Sequence, residues 1–168
     1  RADRARFVLG RRAAAIAANS TTAAAEWRAR VRPGTPVLVI PNALPTKEID
    51  DTVPAAREAL GLPREAPLVM YAGRFAAPKN PSVLADVFAS VLRARPAAWG
   101  LLCGEGPDLE SVRETLSRAG VLDRCVLPGY REDLWRWMKS SDVFVSLSVY
   151  EGRPNVVQEA LRCGAPAV

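Results

Sequence analysis

Residues 68–104, LVMYAGRFAAPKNPSVLADVFASVLRARPAAWGLLCG, read as a strand, a loop, a helix and a second strand. The run 68–72 is apolar and stops at Gly73. Over 81–95 the residues Val83, Leu84, Val87, Phe88, Val91 and Leu92 recur at i, i+1, i+4, i+5, i+8 and i+9, which predicts an amphipathic helix. The run 99–103 is again apolar and stops at Gly104.

The same alternation continues on both sides. Downstream, the sequence predicts a helix over 109–119 ending at Gly120 and a short strand over 125–127 ending at Gly129. A short helix over 133–140, a strand over 143–147 and a helix over 155–163 capped by Gly164 follow. Upstream lie an apolar run over 13–18, a helix over 22–32, a β-branched strand over 37–40 stopped by Pro41-Asn42, and a helix over 54–60 closed by Gly61. Strands and helices in alternation, with Gly after nearly every strand, predict an α/β fold: a Rossmann-like parallel sheet with helices on both faces. In such folds ligands bind beyond the carboxyl ends of the strands, so the informative residues follow the strands.

Composition bounds what such a domain does. The chain has 168 residues, a hydrophobic fraction of 49% and a net charge of +5. Its mean hydropathy is −0.01 and its pI about 9.6. This suits a packed core and argues against disorder. No apolar stretch approaches the roughly 20 residues of a membrane helix, and residues 1–10 lack the basic-then-apolar order of a secretory leader. The excess positive charge is mostly Arg, scattered beside Glu and Asp. This is unlike the clustered cations and interleaved aromatics of a nucleic-acid binder. Arg1, Arg4, Arg6, Arg11 and Arg12 form the one dense patch, either a solvated helix or a surface facing another domain. Three cysteines without a CxxC pair read as reduced, buried thiols, which fits a cytoplasmic protein. The absence of His excludes, within this chain, a His-containing zinc site and a His general base.

The chemistry concentrates in 143–160, VFVSLSVYEGRPNVVQEA, where a strand enters a loop and then a helix with Asn155 as its expected N-cap. The free, dipole-enhanced N–H groups near Asn155, Val156 and Gln158 suit a phosphate. Glu159 lies about one turn inside, and its side chain tilts back toward that end. A carboxylate there can accept two hydroxyl donors, as a ribose diol offers. Glu151, in the loop, is placed to meet a sugar's hydroxyls.

The string Glu151-Gly152-Arg153-Pro154-Asn155 through Glu159-Ala160-Leu161, then Cys163-Gly164-Ala165-Pro166, resembles the E-x7-E region of retaining GT-B glycosyltransferases of the group 1, or family 4, class. The preceding run Asp142-Val143-Phe144-Val145, with Ser146 and Ser148, fits the same pattern. Residues 71–80, YAGRFAAPKN, resemble the G-R-x…K-(G/N) loop of that class. Gly73 precedes Arg74 there, and the resemblance makes Arg74 and Lys79 the cations that meet the donor diphosphate and its leaving oxygens. Cys103-Gly104-Glu105-Gly106-Pro107 resembles the class's G-x-G-p turn. Residues 126–134 resemble an element in which backbone groups near Tyr130 and Arg131 meet the nucleobase. Val39-Ile40-Pro41-Asn42-Ala43 resembles the v-I-P-N-G strand end, with Ala43 in place of Gly.

The resemblance implies the C-terminal, donor-binding half of a GT-B enzyme, spanning 21–168 and truncated at its C-terminus. Residues 1–20 are then a remnant of, or linker from, a missing N-terminal acceptor domain. The chain starts at Arg1 without Met and stops in a new apolar run at Ala167-Val168, so the parent is expected to extend both ways. Its implied activity is transfer of a sugar from a UDP- or GDP-sugar, with retention, to a glycan or lipid-linked glycan of bacterial polysaccharide biosynthesis. Glu151, Arg74 and Lys79 are the implied catalytic residues, with no metal, no other cofactor and no nucleic-acid partner. The parent is expected in the cytoplasm, with peripheral association at the inner face of the membrane. The isolated chain is expected to be inactive. The alternatives are a non-catalytic nucleotide-binding GT-B domain and a related sugar-nucleotide epimerase. A phosphorylase is disfavoured because none of Lys47, Lys79 and Lys139 stands in a pyridoxal-phosphate context.

Overall fold

A computed structural model describes residues 2–151 and 154–168. Arg1, Gly152, Arg153 and the side chains of Ala2, Asp3, Arg4 and Arg6 lie outside that description, so the expected N-terminal cationic run and the centre of the 151–155 loop are described only in part. The chain forms two units, Arg1–Leu44 with Glu151–Asn155, and Pro45–Tyr150 with Val156–Val168.

In the first unit, helix α1 (Ala2–Gly10) leads to strand β1 (Ile16–Ala18), helix α2 (Thr21–Arg28) and strand β2 (Val37–Val39). β1 and β2 pair in parallel, Ile16 opposite Val37 and Ala18 opposite Val39. Ser20 caps α2, its hydroxyl accepting from the Ala23 N–H at 3.1 Å. Phe7 meets Trp27 edge to face at 4.9 Å between centroids.

The second unit carries the main sheet. Helix α3 (Thr46–Asp51) and a 3-10 turn (Arg57–Leu60) precede strand β3 (Leu68–Ala72). Then come α4 (Pro81–Ala94), β4 (Trp99–Cys103), α5 (Leu109–Arg118), β5 (Cys125–Gly129), α6 (Leu134–Met138), β6 (Val143–Phe144) and α7 (Asn155–Arg162). The sheet order is β5-β4-β3-β6, all parallel. Neighbouring side chains on each strand point to opposite faces, and both faces are covered. Tyr71 and Leu102 join Leu84, Phe88 and Leu92 of α4 and Val112 and Leu116 of α5. Met70, Leu101 and Cys103 join Trp137 and Met138 of α6 and Ala160 of α7. Burying each such large side chain contributes about 1.5–3 kcal/mol. The fold is thus the α/β parallel sheet with helices on both faces that the alternation predicts.

Several elements differ from their sequence reading. The predicted helix over 54–60 is only the 3-10 turn Arg57–Leu60, although Gly61 does close it in the left-handed conformation, φ 71°. The segment is held from outside rather than by its own ladder. The Arg57 guanidinium donates to the carbonyl of Ser140 and pairs with Asp142 at 3.0 Å, and Ser140 Oγ donates to the Ala55 carbonyl. β6 is shorter than the predicted 143–147. Asp142 anchors its start by accepting the Leu68 N–H at 2.7 Å, which explains an aspartate leading this strand. On α4, Val83 lies on the exposed side while the small Ala85 and Ala89 are buried, so the packed face is rotated from the largest-residue stripe.

Candidate functional site

Three strand ends of the second unit open on one cleft of about 620 Å³. Ala72, Gly73, Arg74 and Lys79 line it after β3, and Cys103, Gly104, Glu105 and Gly106 after β4. Tyr130, Arg131 and Leu134 line it after β5, and Val156 in the first turn of α7. The volume suits a small-molecule ligand. The place, at the carboxyl ends of parallel strands around the central β3, is where such sheets bind ligands.

The floor is tied together by main chain. Gly73 N donates to the Cys103 carbonyl at 3.0 Å, Gly104 N to that of Gly129 at 2.8 Å, and Phe75 N to that of Glu105 at 2.9 Å. The loops after β3 and β4 approach so closely that a Cβ on Gly104 would stand 1.9 Å from the Gly73 oxygen, and one on Gly106 2.2 Å from the Phe75 oxygen. The amides of Gly73, Phe75 and Gly104 are therefore engaged within the protein and are not free to meet an anion.

Two cations, Arg74 and Lys79, line the same cleft. Arg74 is exposed, and its guanidinium has no hydrogen bond or ion pair among the described residues. Lys79 is half-buried at the end of a 3-10 turn (Ala77–Lys79). That turn closes at Asn80 in the left-handed region, φ 54°, a conformation that Gly and Asn tolerate best. This is a physical reason for a G/N preference after the lysine.

Arg131 is differently employed. Its guanidinium forks onto Asp133 with two contacts of 2.8 Å, and Trp137 Nε1 donates to the same carboxylate at 3.2 Å. The Arg131 hydrogen bonds, with help from Trp137, hold the Asp133 carboxyl below its ordinary pKa. What position 131 offers a ligand is main chain. β5 slips register against β4 between Leu101 and Cys103. Among the described residues, the N–H groups of Tyr130 and Arg131 donate to no other backbone group. The Tyr130 side chain is 70% exposed.

Seven expected residues thus line the cleft: Gly73, Arg74, Lys79, Gly104, Tyr130, Arg131 and Val156. Glu159, Asn155 and Glu151 are not among its lining residues. Glu159 is on α7 one turn beyond Val156, and its Oε2 accepts from Trp135 Nε1 at 3.0 Å. Asn155 is the first helical residue of α7 rather than a residue preceding it, and its Oδ1 accepts from Asn42 Nδ2 at 3.1 Å. Asn155 and Glu151 both belong to the first unit. The sequence reading passed over Leu134 as a lining residue and treated Glu105 and Gly106 only as parts of a turn; the Gly-Glu-Gly spacing after a strand was the available signal.

All three cysteines are free. Burial pushes the Cys103 and Cys125 thiols up to about 12. A thiol favoured in its neutral form adds stability that is whole below the unfolded pKa near 9 and is lost as pH rises through about 12. At pH 8 the shift leaves roughly a thousandfold less thiolate than in the unfolded chain. Cys103 and Cys125 are therefore expected to resist a thiol reagent until the protein is unfolded; fast labelling of either in the native protein would contradict this. Among the described residues no group of three or more His, Cys, Asp or Glu is placed to hold a metal ion. Nor is any helix long and apolar enough to cross a membrane.

The family model described as Glycosyl transferases group 1 matches residues 52–168. A Vi polysaccharide biosynthesis protein of Salmonella typhi is 34% identical over 95 residues, 56% of this chain and 16% of that protein. A lipopolysaccharide core biosynthesis mannosyltransferase of Rhizobium meliloti is 28% identical over 170 residues, 97% of this chain and 46% of that protein. In structure, the chain is similar to Anabaena HepE, crystallised in complex with UDP and glucose, with a TM-score of 0.83, 24% identity, and coverage of 98% of this chain and 46% of that one. The chain spans less than half the length of each of these three proteins.

Proposed function

Because this chain belongs to the glycosyl transferases group 1 family, we propose that its cleft holds a nucleotide sugar and that the chain is the donor-binding half of a retaining glycosyltransferase. The observation that carries the reading is Arg74: an exposed guanidinium without a protein partner among the described residues, beside Lys79, where a parallel sheet receives ligands. The UDP in the Anabaena structure of the same fold supports the same class of ligand.

In this reading Arg74 and Lys79 hold the diphosphate. When the bond between the anomeric carbon and the phosphate oxygen breaks, negative charge gathers on the departing oxygen, and the two cations meet it. They supply the countercharge themselves, so the proposal includes no metal ion. The free amides of Tyr130 and Arg131 meet the edge of the base, where two fixed donors suit carbonyl acceptors. The α7 N-terminus near Val156 adds dipole to the phosphate site. Glu159 takes the ribose hydroxyls, and Glu151 is assigned the donor sugar's hydroxyls on the E-x7-E pattern.

The names of the relatives favour a bacterial surface glycan, or its lipid-linked precursor, as acceptor. The reaction then belongs to the cytoplasm, at the inner face of the membrane where such acceptors are built. Selection of the acceptor falls to a part of the enzyme beyond the donor-binding half.

An assay of released nucleoside diphosphate tests the reading. The full-length enzyme is expected to release it only when acceptor is present, and to give a product with the donor's anomeric configuration by NMR. The isolated 168-residue chain is expected to show no transfer. Release without acceptor would point to an epimerase; transfer by the chain alone at the full-length rate would refute the half-enzyme reading.

A further inference from the structure

We propose that Trp135 is a positioning residue that sets the Glu159 carboxylate for its ligand; this rests on the assignment of Glu159 to the ribose. The observation is the bond from the Trp135 indole Nε1 to Glu159 Oε2 at 3.0 Å. The pair joins α6 to α7 across 24 positions of sequence, and both side chains are half-buried. Each partner has a neighbour in the cleft wall: Leu134 precedes Trp135 in sequence, and Val156 lies one turn before Glu159 on the same helix face.

The indole has a single donor and no acceptor, so it can serve only the carboxylate. Its ring is held in place. Trp135 packs against the core cluster that contains Trp137 and Met138, and its carbonyl accepts from the Lys139 N–H at 3.0 Å. Glu159, by contrast, has three rotatable side-chain bonds, and on its own would sample several directions. A hydrogen bond from a fixed indole to an ionised oxygen is strong enough to select one of them. It commits Oε2 to the protein and leaves Oε1 as the oxygen better placed to accept from a bound diol. The same short helix repeats the arrangement, with Trp137 Nε1 donating to Asp133, the carboxylate that forks Arg131. Both indoles of the sequence Leu-Trp-Arg-Trp-Met therefore orient a carboxylate attached to a predicted site residue or serving as one.

Trp135→Phe keeps most of the ring and removes the donor. The test is calorimetric titration of the chain, with UDP and GDP compared first and the tighter one then set against its 2′-deoxy counterpart. The wild type is expected to prefer the ribonucleotide, and Trp135→Phe to weaken it by roughly five- to tenfold while nearly abolishing that preference. In the Glu159→Ala background, Trp135→Phe should change nothing further. A ring that merely fills space would lower both nucleotides alike and leave the preference intact. Wild-type affinity and preference in Trp135→Phe, or effects of the two substitutions that simply add, would overturn the proposal. If Glu159→Ala itself leaves affinity and preference unchanged, the ribose assignment fails, and this proposal with it. A second measurement does not require the Phe variant to fold. The Trp135 indole N–H resonance, one of four from the tryptophans, should move on nucleotide addition and shift in Glu159→Ala; indifference to both overturns the proposal.

Discussion

Replacing Arg74 by alanine is expected to lower kcat/KM for the nucleotide sugar by on the order of a hundredfold or more in the full-length enzyme, an effect of about 3 kcal/mol on the barrier. The size follows from what the guanidinium faces. It has no partner among the described residues to leave orphaned, so the loss falls on the ligand and on the charge that develops as the sugar departs. Lys79 remains in the cleft and meets part of that charge, which keeps the effect below complete loss. Arg74→Lys should recover only part of the rate, because an ammonium is a point charge where the guanidinium is a planar fork. The fall should be larger in kcat than in donor affinity, since the charge is greatest in the transition state. Steady-state kinetics of the variant measure this directly. A change below threefold in kcat/KM would remove Arg74 from the chemistry.

Gly104→Ala is the second large effect, and it acts on the frame of the site. The residue sits at φ 138°, and its new Cβ would stand 1.9 Å from the Gly73 oxygen and 2.9 Å from the Gly73 carbon. The obstacle is backbone, so no side chain can rotate away. Both strand ends are also fixed, Gly104 N to the Gly129 carbonyl and Gly73 N to the Cys103 carbonyl. Relief of the clash breaks at least one of these bonds. Strain of about 1–3 kcal/mol and a lost hydrogen bond of about 1 kcal/mol give a destabilisation of roughly 2–4 kcal/mol. That lowers Tm by roughly 5–15 °C for a chain of this size. Gly61→Ala is the control. Gly61 also has positive φ, 71°, but nothing lies within 4 Å of its would-be Cβ. It should cost only about 1 kcal/mol. Thermal melts of the two variants separate close approach from conformational preference; equal shifts would show that the β3–β4 contact is not what requires glycine at 104.

The two central strands, β3 and β4, were easy to read because burial on both faces makes them largely apolar runs that stop at Gly73 and Gly104. β3 and β4 begin and end where those runs do. Elements that depend on long-range ties were not legible. The 54–60 segment has a proline start and a left-handed glycine end, the marks of a helix. What it forms is decided by Arg57 and Ser140, partners more than eighty positions apart. α3 escaped notice because Thr46–Asp51 is polar apart from Ile49, which alone is buried. In the site, Gly73, Arg74, Gly104 and Tyr130 could be expected together, because each follows a strand of one parallel sheet. The pairing of side chains could not. That Arg131 forks onto Asp133 is set by the local turn before α6, and that Trp135 reaches Glu159 needs a distance between α6 and α7 that no periodicity encodes.

The proposed donor site requires this domain to bind a nucleoside diphosphate. Calorimetric titration of UDP and of GDP into the 168-residue chain, and into its Arg74→Ala and Glu159→Ala variants, tests it most directly. Saturable binding of at least one nucleotide, weakened about tenfold or more in each variant, is the result predicted. Absence of binding to the wild type, or unchanged affinity in both variants, would contradict it.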